Sequence, residues 1–557
     1  MKPLHYISLR LRAVLLAAAA LATMPAAVRA GDSFTVNGAR YTVVDSASVI
    51  LTSYYGSYDH EITPAETALI DFTVPSNVIN EGKVYRVTGI GDNAFKPRDH
   101  RCYAYYLRSI VIPASVKSIG TSAFEGSPHL VSVELGKGVE RIGNRAFAQC
   151  IQLPAISLPS QVAKLGLAAL SGCKRLTKIE ADSRNSHFAS IDGVLYSANR
   201  DTLLVYPEGK CTPSLSIGQG VKAIGKFAFY GIDTLRRVEI PASVTCIDSS
   251  AFEMCKQLAS ITGAFNPVAI GGHAFFGCYN LKSVAINSNV KEIGTSAFSR
   301  CQSLMQIDVD NANAHFRTID GVLFTADTAT VLAYPLGRCY SRADENYMGT
   351  PLYDFSFDYK LPNGTKVIPP YTFMIEQFAD STGQPVYCRI FNAAIELPAS
   401  IEHIGDMAFY INKDFPTGLY SSSNAWINIK THATTPCHIS SEALASYSKI
   451  EYGVRGEERL VYYFWGSLEV PRGCVETYRN ATNWSMFKDI SELDPVPDPE
   501  PLVGDLNGDG VTNVTDVVVL QNMILGTTSL DAAGDVNGDK TIDTSDVTYL
   551  IAAILNK

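Results

Sequence analysis

An Ala-Phe pair returns along this chain at a fixed interval. Its phenylalanines are Phe124, Phe147, Phe229, Phe252, Phe275 and Phe298, Leu170 stands in once, and neighbours within each run are 23 residues apart. The rest of the unit repeats with the pair. Val290, Ile293, Gly294, Ala297, Phe298, Cys301, Leu304 and Ile307 in one copy match Val139, Ile142, Gly143, Ala146, Phe147, Cys150, Leu153 and Ile156 in another. Outlying copies at Phe95 and Phe409 extend the array. A unit this short cannot bury its own apolar face, so neighbouring units must stack and share one continuous core. That also answers how 557 residues avoid needing a single oversized core.

Spacing inside the unit predicts its shape. Leu304-x-x-Ile307-x-Val309 is a short extended run with Ile307 and Val309 on one side. Ile293-Gly294 is expected to turn the chain, glycine taking φ > 0 at little cost. Ala297, Phe298 and Cys301 lie at helical spacing, so a single helical turn points all three inward. The expected fold is an α/β repeat solenoid of parallel strands and helical turns. The pattern I-P-x-S-V-x-x-I-G-x-x-A-F-x-x-C, seen here as IPASVKSIGTSAF and IPASVTCIDSSAFEMC, resembles the leucine-rich repeats of bacterial surface proteins of the BspA type. The resemblance spans roughly residues 31–492. It implies a curved solenoid and a role in adhesion and surface interactions.

Two related segments, 185–210 and 313–338, interrupt the array. Each has two β-rich runs around a polar turn and reads as a hairpin inserted between coils. Their shared His187 and His315 each lack a nearby ligand pair, so a turn-satisfying role is preferred to a metal site. The chain has twelve cysteines, enough for six bridges. Yet Cys150, Cys173, Cys255, Cys278 and Cys301 share one repeat position and read as small buried residues of a ladder. Cys211 and Cys339 are also equivalent to each other, and bridges among the rest stay open.

Residues 431–438 bring His432, Cys437 and His438 together. A zinc set there lacks a second close-spaced pair, and the resemblance accounts for the stretch without metal. Residues 468–487 resemble the closing segment of such arrays, and a cap is needed where the last coil would expose its core. Tyr353, Phe355, Phe357 and Tyr359 alternate with polar residues, giving one aromatic strand face. Such a row stacks on sugars or fills a core, and the core reading is preferred.

Lys2, Arg10 and Arg12 precede an apolar stretch at 13–22, and Val28 and Ala30 place small residues before Gly31. This is the pattern of a cleaved secretory leader, and no later run is long enough to span a bilayer. A formal charge of −9 argues against nucleic acid as a partner.

The tail changes character. After the proline-rich stretch 494–501, a semi-rigid spacer, residues 505–516 read DLNGDGVTNVTD and 535–546 read DVNGDKTIDTSD. In the first loop Asp505, Asn507, Asp509, Asn513 and Asp516 put side-chain oxygen at loop positions 1, 3, 5, 9 and 12, and Val511 offers a carbonyl at 7. In the second, Asp535, Asn537, Asp539, Asp543 and Asp546 do the same, with Thr541 at 7. Oxygen donors wrapped in this way suit a hard cation such as calcium, one per loop, so two ions. Lys540 replaces the glycine expected at the sharp bend, where a non-glycine residue costs about 1–2 kcal/mol. Each loop leads into a helix, the first with Val517, Leu520 and Ile524 inward and Gly526 at its end, the second carrying Val547, Leu550, Ile551 and Ile554.

Residues 503–557 resemble a type I dockerin. The resemblance implies calcium-dependent docking onto a cohesin-bearing protein, with specificity at Val514 and Thr515 in one copy and Thr544 and Ser545 in the other. The two pairs differ, which argues against a symmetric dual mode. The expected organisation is a leader at 1–30, a β-rich lead-in at 31–84, repeats at 85–430, a cap at 431–493, a linker at 494–502 and the dockerin at 503–557. The leading functional expectation is a non-catalytic exported scaffold whose solenoid binds a protein or glycan. The alternatives are an adhesin whose calcium module is structural, and a glycoside hydrolase. The last lacks a recognisable carboxylate pair, the repeat positions being nearly all apolar or glycine.

Overall fold

The computed structural model describes residues 29–54, 69–98, 103–210, 212–263, 267–345, 351–374, 387–410, 427–443, 447–452, 458–463, 466–493, 504, 506, 512–527 and 534–555. Residues 1–28 of the expected leader, the linker at 494–502 and half of the first acidic loop lie outside them, as do Cys102 and Cys211.

Each coil contributes two strands. Ser283–Ile286 pairs in parallel with Gln306–Val309, setting Val284 opposite Ile307 and Ile286 opposite Val309. A second, two-residue strand, Glu292–Ile293, pairs in parallel with Ala269–Ile270. The inward side chains match the repeat consensus, and Phe124, Phe147, Phe229, Phe252, Phe275 and Phe298 are all buried. Their rings stack from coil to coil at 4.7, 5.2 and 5.6 Å between Phe229, Phe252, Phe275 and Phe298, nearly parallel. The rings inherit the spacing of hydrogen-bonded strands, about 4.8 Å. Burying one such ring contributes about 1.5–3 kcal/mol.

The expected helical turn is realised as tight turns whose alternate amides serve two purposes. Ala274, Phe276 and Cys278 donate to carbonyls three residues back, while His273, Phe275 and Gly277 donate to Thr295, Ala297 and Ser299 of the next coil. The residues two before and two after each ladder phenylalanine take left-handed backbone, for example His273 (φ 56°) and Gly277 (φ 70°), or Ser296 (56°) and Arg300 (60°).

This corrects the expectation for Gly294, which is not left-handed. A Cβ there would lie 2.2 Å from the backbone nitrogen of Gly272. Gly143 is in the same position, 2.5 Å from the carbonyl carbon of Gly120. Close approach of adjacent coils, not a turn, is what requires glycine at this place.

The interrupting segments are also more than inserted hairpins. Each forms three strands, Phe188–Ile191, Val194–Ser197 and Thr202–Val205 in the first, antiparallel to one another. The third strand then pairs in parallel with Ala223–Ile224 of the next coil, so the segment is built into the stack. Its apolar residues divide between cores. Leu195 joins the core that precedes the segment, while Val194 and Leu203 join the one after it. In the second segment Leu323 belongs to the preceding core, and Val322 and Phe324 to the next. A strand apolar on both faces reads as a continuous run, which is why VLY and VLF do not alternate.

Asn185 fastens the first of these segments. Its amide donates to the carbonyls of Pro159 and Val162, and its oxygen accepts from the backbone of His187 and Phe188, all at 2.8–2.9 Å. Asn313 repeats the arrangement with Asn287, Val290, His315 and Phe316. The turn expected to need His187 and His315 is therefore satisfied by asparagine, and both imidazoles are exposed.

Coils continue beyond the second segment, with Phe373 stacked on Phe409 at 5.4 Å. Tyr359 is buried in this last core, whereas the side chains of Tyr353, Phe355 and Phe357 lie outside the described residues. The array is closed by the helix Val475–Arg479, the turn at Trp484–Met486 and a final strand. Tyr478 donates to Ala433 O at 2.8 Å and the Trp484 indole to Cys437 O at 2.9 Å, both rings fully buried. The strand Asp489–Glu492 makes the last parallel pair, on Gly466–Val470.

Candidate functional site

The tail module is built on two helices, Val514–Ile524 and Thr544–Leu555. Leu520, Val536 and Leu550 form its small core, with Val517, Ile524, Val547 and Ile554 packed around them. Gly526 takes φ 71° where the first helix stops. Of the apolar residues on the second helix, Ile551 faces outward, 41% exposed.

Each loop ends in the cap of the helix it precedes. Asn513 accepts from the backbone of Thr515 at 2.8 Å, and Asp516 accepts from the backbone of Asn513 at 2.8 Å, a reciprocal capping box. Asp543 and Asp546 repeat it, with Ser545 N–H on Asp543 at 2.7 Å and Asp543 N–H on Asp546 at 3.0 Å. The side chains at loop positions 9 and 12 thus tie each loop to its helix. Asp516 and Asp546 are fully buried, and the second oxygen of each accepts from its own loop, from Leu506 N–H at 2.9 Å and Asn537 N–H at 3.1 Å.

The second loop is described throughout. Lys540 stands at the sharp bend with φ 72°, as the sequence requires, and its N–H donates to Asp535 Oδ2 at 2.8 Å. Asp535 Oδ1 is buried and has no hydrogen-bond partner. A buried acceptor of that kind costs stability unless something positive meets it. Asp539 accepts from both the hydroxyl and the backbone of Thr541, and these bonds hold its carboxyl below the usual range. Asp543 is lowered likewise, chiefly by Ser545. Among the described residues no three His, Cys, Asp or Glu side chains converge as a ligand set. The donors are nonetheless all oxygen, a carboxylate has about four acceptor positions, and the orphaned Asp535 oxygen faces no other partner. The residues present fit a hard cation in chemistry. Of the first loop, Asp505, Asn507, Asp509 and Val511 lie outside the described residues.

The four residues expected to set docking specificity fall at the starts of the helices. Val514 is 57% exposed, and Thr544 is exposed. The hydroxyls of Thr515 and Ser545 turn back into their loops, Thr515 onto Asn513 at 2.8 Å and Ser545 against the Asn537 amide at 2.8 Å.

The close-spaced set at 431–438 does not assemble. His432 Nε2 meets Glu396 at 2.6 Å, and His438 Nδ1 meets His403 at 2.9 Å. Burial pushes the Cys437 thiol up to about 12.

A stack of parallel-stranded coils followed by a two-helix loop module defines a repeat solenoid with a separate tail module. Comparison with known families makes this specific. The chain carries six copies of the BspA type leucine rich repeat over residues 88–193 and 208–327, and a dockerin type I domain over residues 503–555. That architecture is consistent with a non-catalytic, exported scaffold or adhesin. Among the described residues no helix is long and apolar enough to cross a membrane. No curated protein matches the chain.

Among solved structures, a leucine rich cell surface protein from Faecalibacterium prausnitzii is 23% identical, covering 50% of this chain and 95% of its own, with a TM-score of 0.29. The pneumococcal vaccine antigen PcpA is 17% identical, covering 84% of this chain and 100% of its own, with a TM-score of 0.39. A leucine-rich repeat protein from Bacteroides ovatus is 18% identical over 66% of this chain and 95% of its own, with a TM-score of 0.24.

Proposed function

We propose that the solenoid is a binding element and that residues 503–557 attach it, through calcium, to a cohesin-bearing protein in a surface or polysaccharide-processing assembly. The observation that carries this reading is the apolar surface of the tail. Its core is already closed by Leu520, Val536 and Leu550. Even so, Val514, Val518 and the C-cap Leu525 of one helix and Tyr549, Ile551 and Leu555 on the other are 41–79% exposed. Apolar side chains at this density on so small a module suit a protein partner.

Asp505, Asn507, Asp509, Asn513 and Asp516, with the Val511 carbonyl, would hold one calcium ion, and Asp535, Asn537, Asp539, Asp543 and Asp546, with the Thr541 carbonyl, a second. Calcium would supply the positive charge that the loop carboxylates otherwise lack as a partner. The capping boxes make the same residues set the helix starts, so filling the loops fixes Val514, Thr515, Thr544 and Ser545 for docking. The solenoid would take a protein or glycan ligand independently.

Affinity capture from the source's surface fraction, with calcium and with chelator, tests the proposal. The full chain is expected to retain a cohesin-bearing protein only with calcium, and a chain ending at residue 493 to lose it in both conditions. Capture that survives both chelator and truncation would instead support an adhesin whose tail is structural.

A further inference from the structure

We propose that His403 and His438 form a two-imidazole site for a transition-metal ion, copper(II) foremost. The two residues are 35 apart in sequence and are brought together by the stack. The strand His403–Ile404 pairs in parallel with His438–Ile439, and His403 is the direct partner of His438 in that register. Their rings lie 14° from parallel, and the two Nδ1 atoms share a hydrogen bond at 2.9 Å, so an ion held by both nitrogens would take the place of that one shared proton.

Paired imidazole nitrogens suit copper(II), nickel(II) and zinc(II), and copper stands highest in the affinity order of the divalent ions. The backbone beneath the pair is held, since His403 N–H donates to Lys366 O at 3.0 Å and His438 N–H to Glu402 O at 3.1 Å. Both imidazoles are exposed, which leaves an ion free access. No third His, Cys, Asp or Glu among the described residues completes the set. Two positions of the ion are therefore left for water or for a group brought by a bound partner. Calcium, which takes oxygen ligands, does not compete here.

The test uses the untagged full chain in millimolar calcium, titrated with copper(II) and monitored by calorimetry and electron paramagnetic resonance. One copper ion is expected, with hyperfine structure from two imidazole nitrogens. Removing even an outer-shell partner of a metal ligand costs about 10–100-fold in affinity. His403→Ala and His438→Ala should each weaken binding by at least that factor while leaving thermal unfolding unchanged, because neither ring is in the core. His432→Ala, whose ring is engaged with Glu396, should bind as the parent does. Equal affinity in the parent and the His403→Ala/His438→Ala double variant would overturn the proposal, as would a spectrum without the paired nitrogens.

Discussion

The thiol of Cys278 donates to the backbone carbonyl of Phe252, 3.2 Å away in the preceding coil. Cys150, Cys173, Cys255 and Cys301 make the same bond, to Phe124, Phe147, Phe229 and Phe275. The ladder is thus a hydrogen-bonded seam as well as an apolar one, and the nine cysteines whose side chains are described are free thiols. Burial pushes Cys173 and Cys301 up to about 12. Alkylation requires the thiolate, so these five positions should stay unmodified in the native chain at mildly alkaline pH. They should react fully in denaturant, and mass spectrometry of the labelled peptides reads the difference. Replacing Cys278 with alanine leaves the Phe252 carbonyl with only the Cys255 N–H, 3.1 Å away, and should cost about 0.5–1.5 kcal/mol for the lost bond.

Two glycine exchanges separate close approach from backbone conformation. Gly294→Ala sets a methyl against the backbone of Gly272 and should lower stability by about 1–3 kcal/mol or more, as overpacking does. Gln149 is exposed and left-handed at φ 59°, at the position where other coils carry Gly126, Gly172, Gly231 and Gly277. Gln149→Gly should therefore raise stability by about 1 kcal/mol. Denaturant midpoints of the two variants should move in opposite directions.

How much of this was legible in the sequence depended on whether a residue's reason for being there was local. Ala297, Phe298 and Cys301 face the core because a 23-residue period leaves inward positions no freedom, and the pattern alone places them. Gly294 was visible as a constant but not its cause, since left-handed backbone and close approach select the same residue. Asn185 and Asn313 passed unnoticed because the carbonyls they hold lie one coil back. His432 and His438 look like neighbours in sequence, yet successive coils send them to Glu396 and His403. In the tail, loop spacing revealed the oxygen donors. That positions 9 and 12 also form capping boxes was readable from N-V-T-D and D-T-S-D at the helix starts.

Glu208 occupies the place in the first interrupting segment that buried Leu336 holds in the second. Its Oε2 is buried without a hydrogen-bond partner. Burial, and then Asp233 nearby, raise its carboxyl above the ordinary value. A carboxylic acid whose folded pKa is raised destabilises the fold when ionised. That cost is fully present above the folded pKa and absent below the unfolded value of about 4.3. Glu208→Leu should accordingly raise the melting temperature at pH 7, by the equivalent of about 1–3 kcal/mol for a buried unsatisfied group. The gain should shrink towards pH 4, and melting curves at the two pH values check it.

The attachment by the tail rests on calcium entering both loops. An equilibrium calcium titration of the chelator-stripped full chain, alongside Asp516→Asn and Asp546→Asn, measures that entry directly. Two ions per chain are predicted for the parent and one for each variant, with helix content rising as the loops fill. No calcium uptake by the parent at millimolar concentration, or uptake that both variants retain in full, would contradict it.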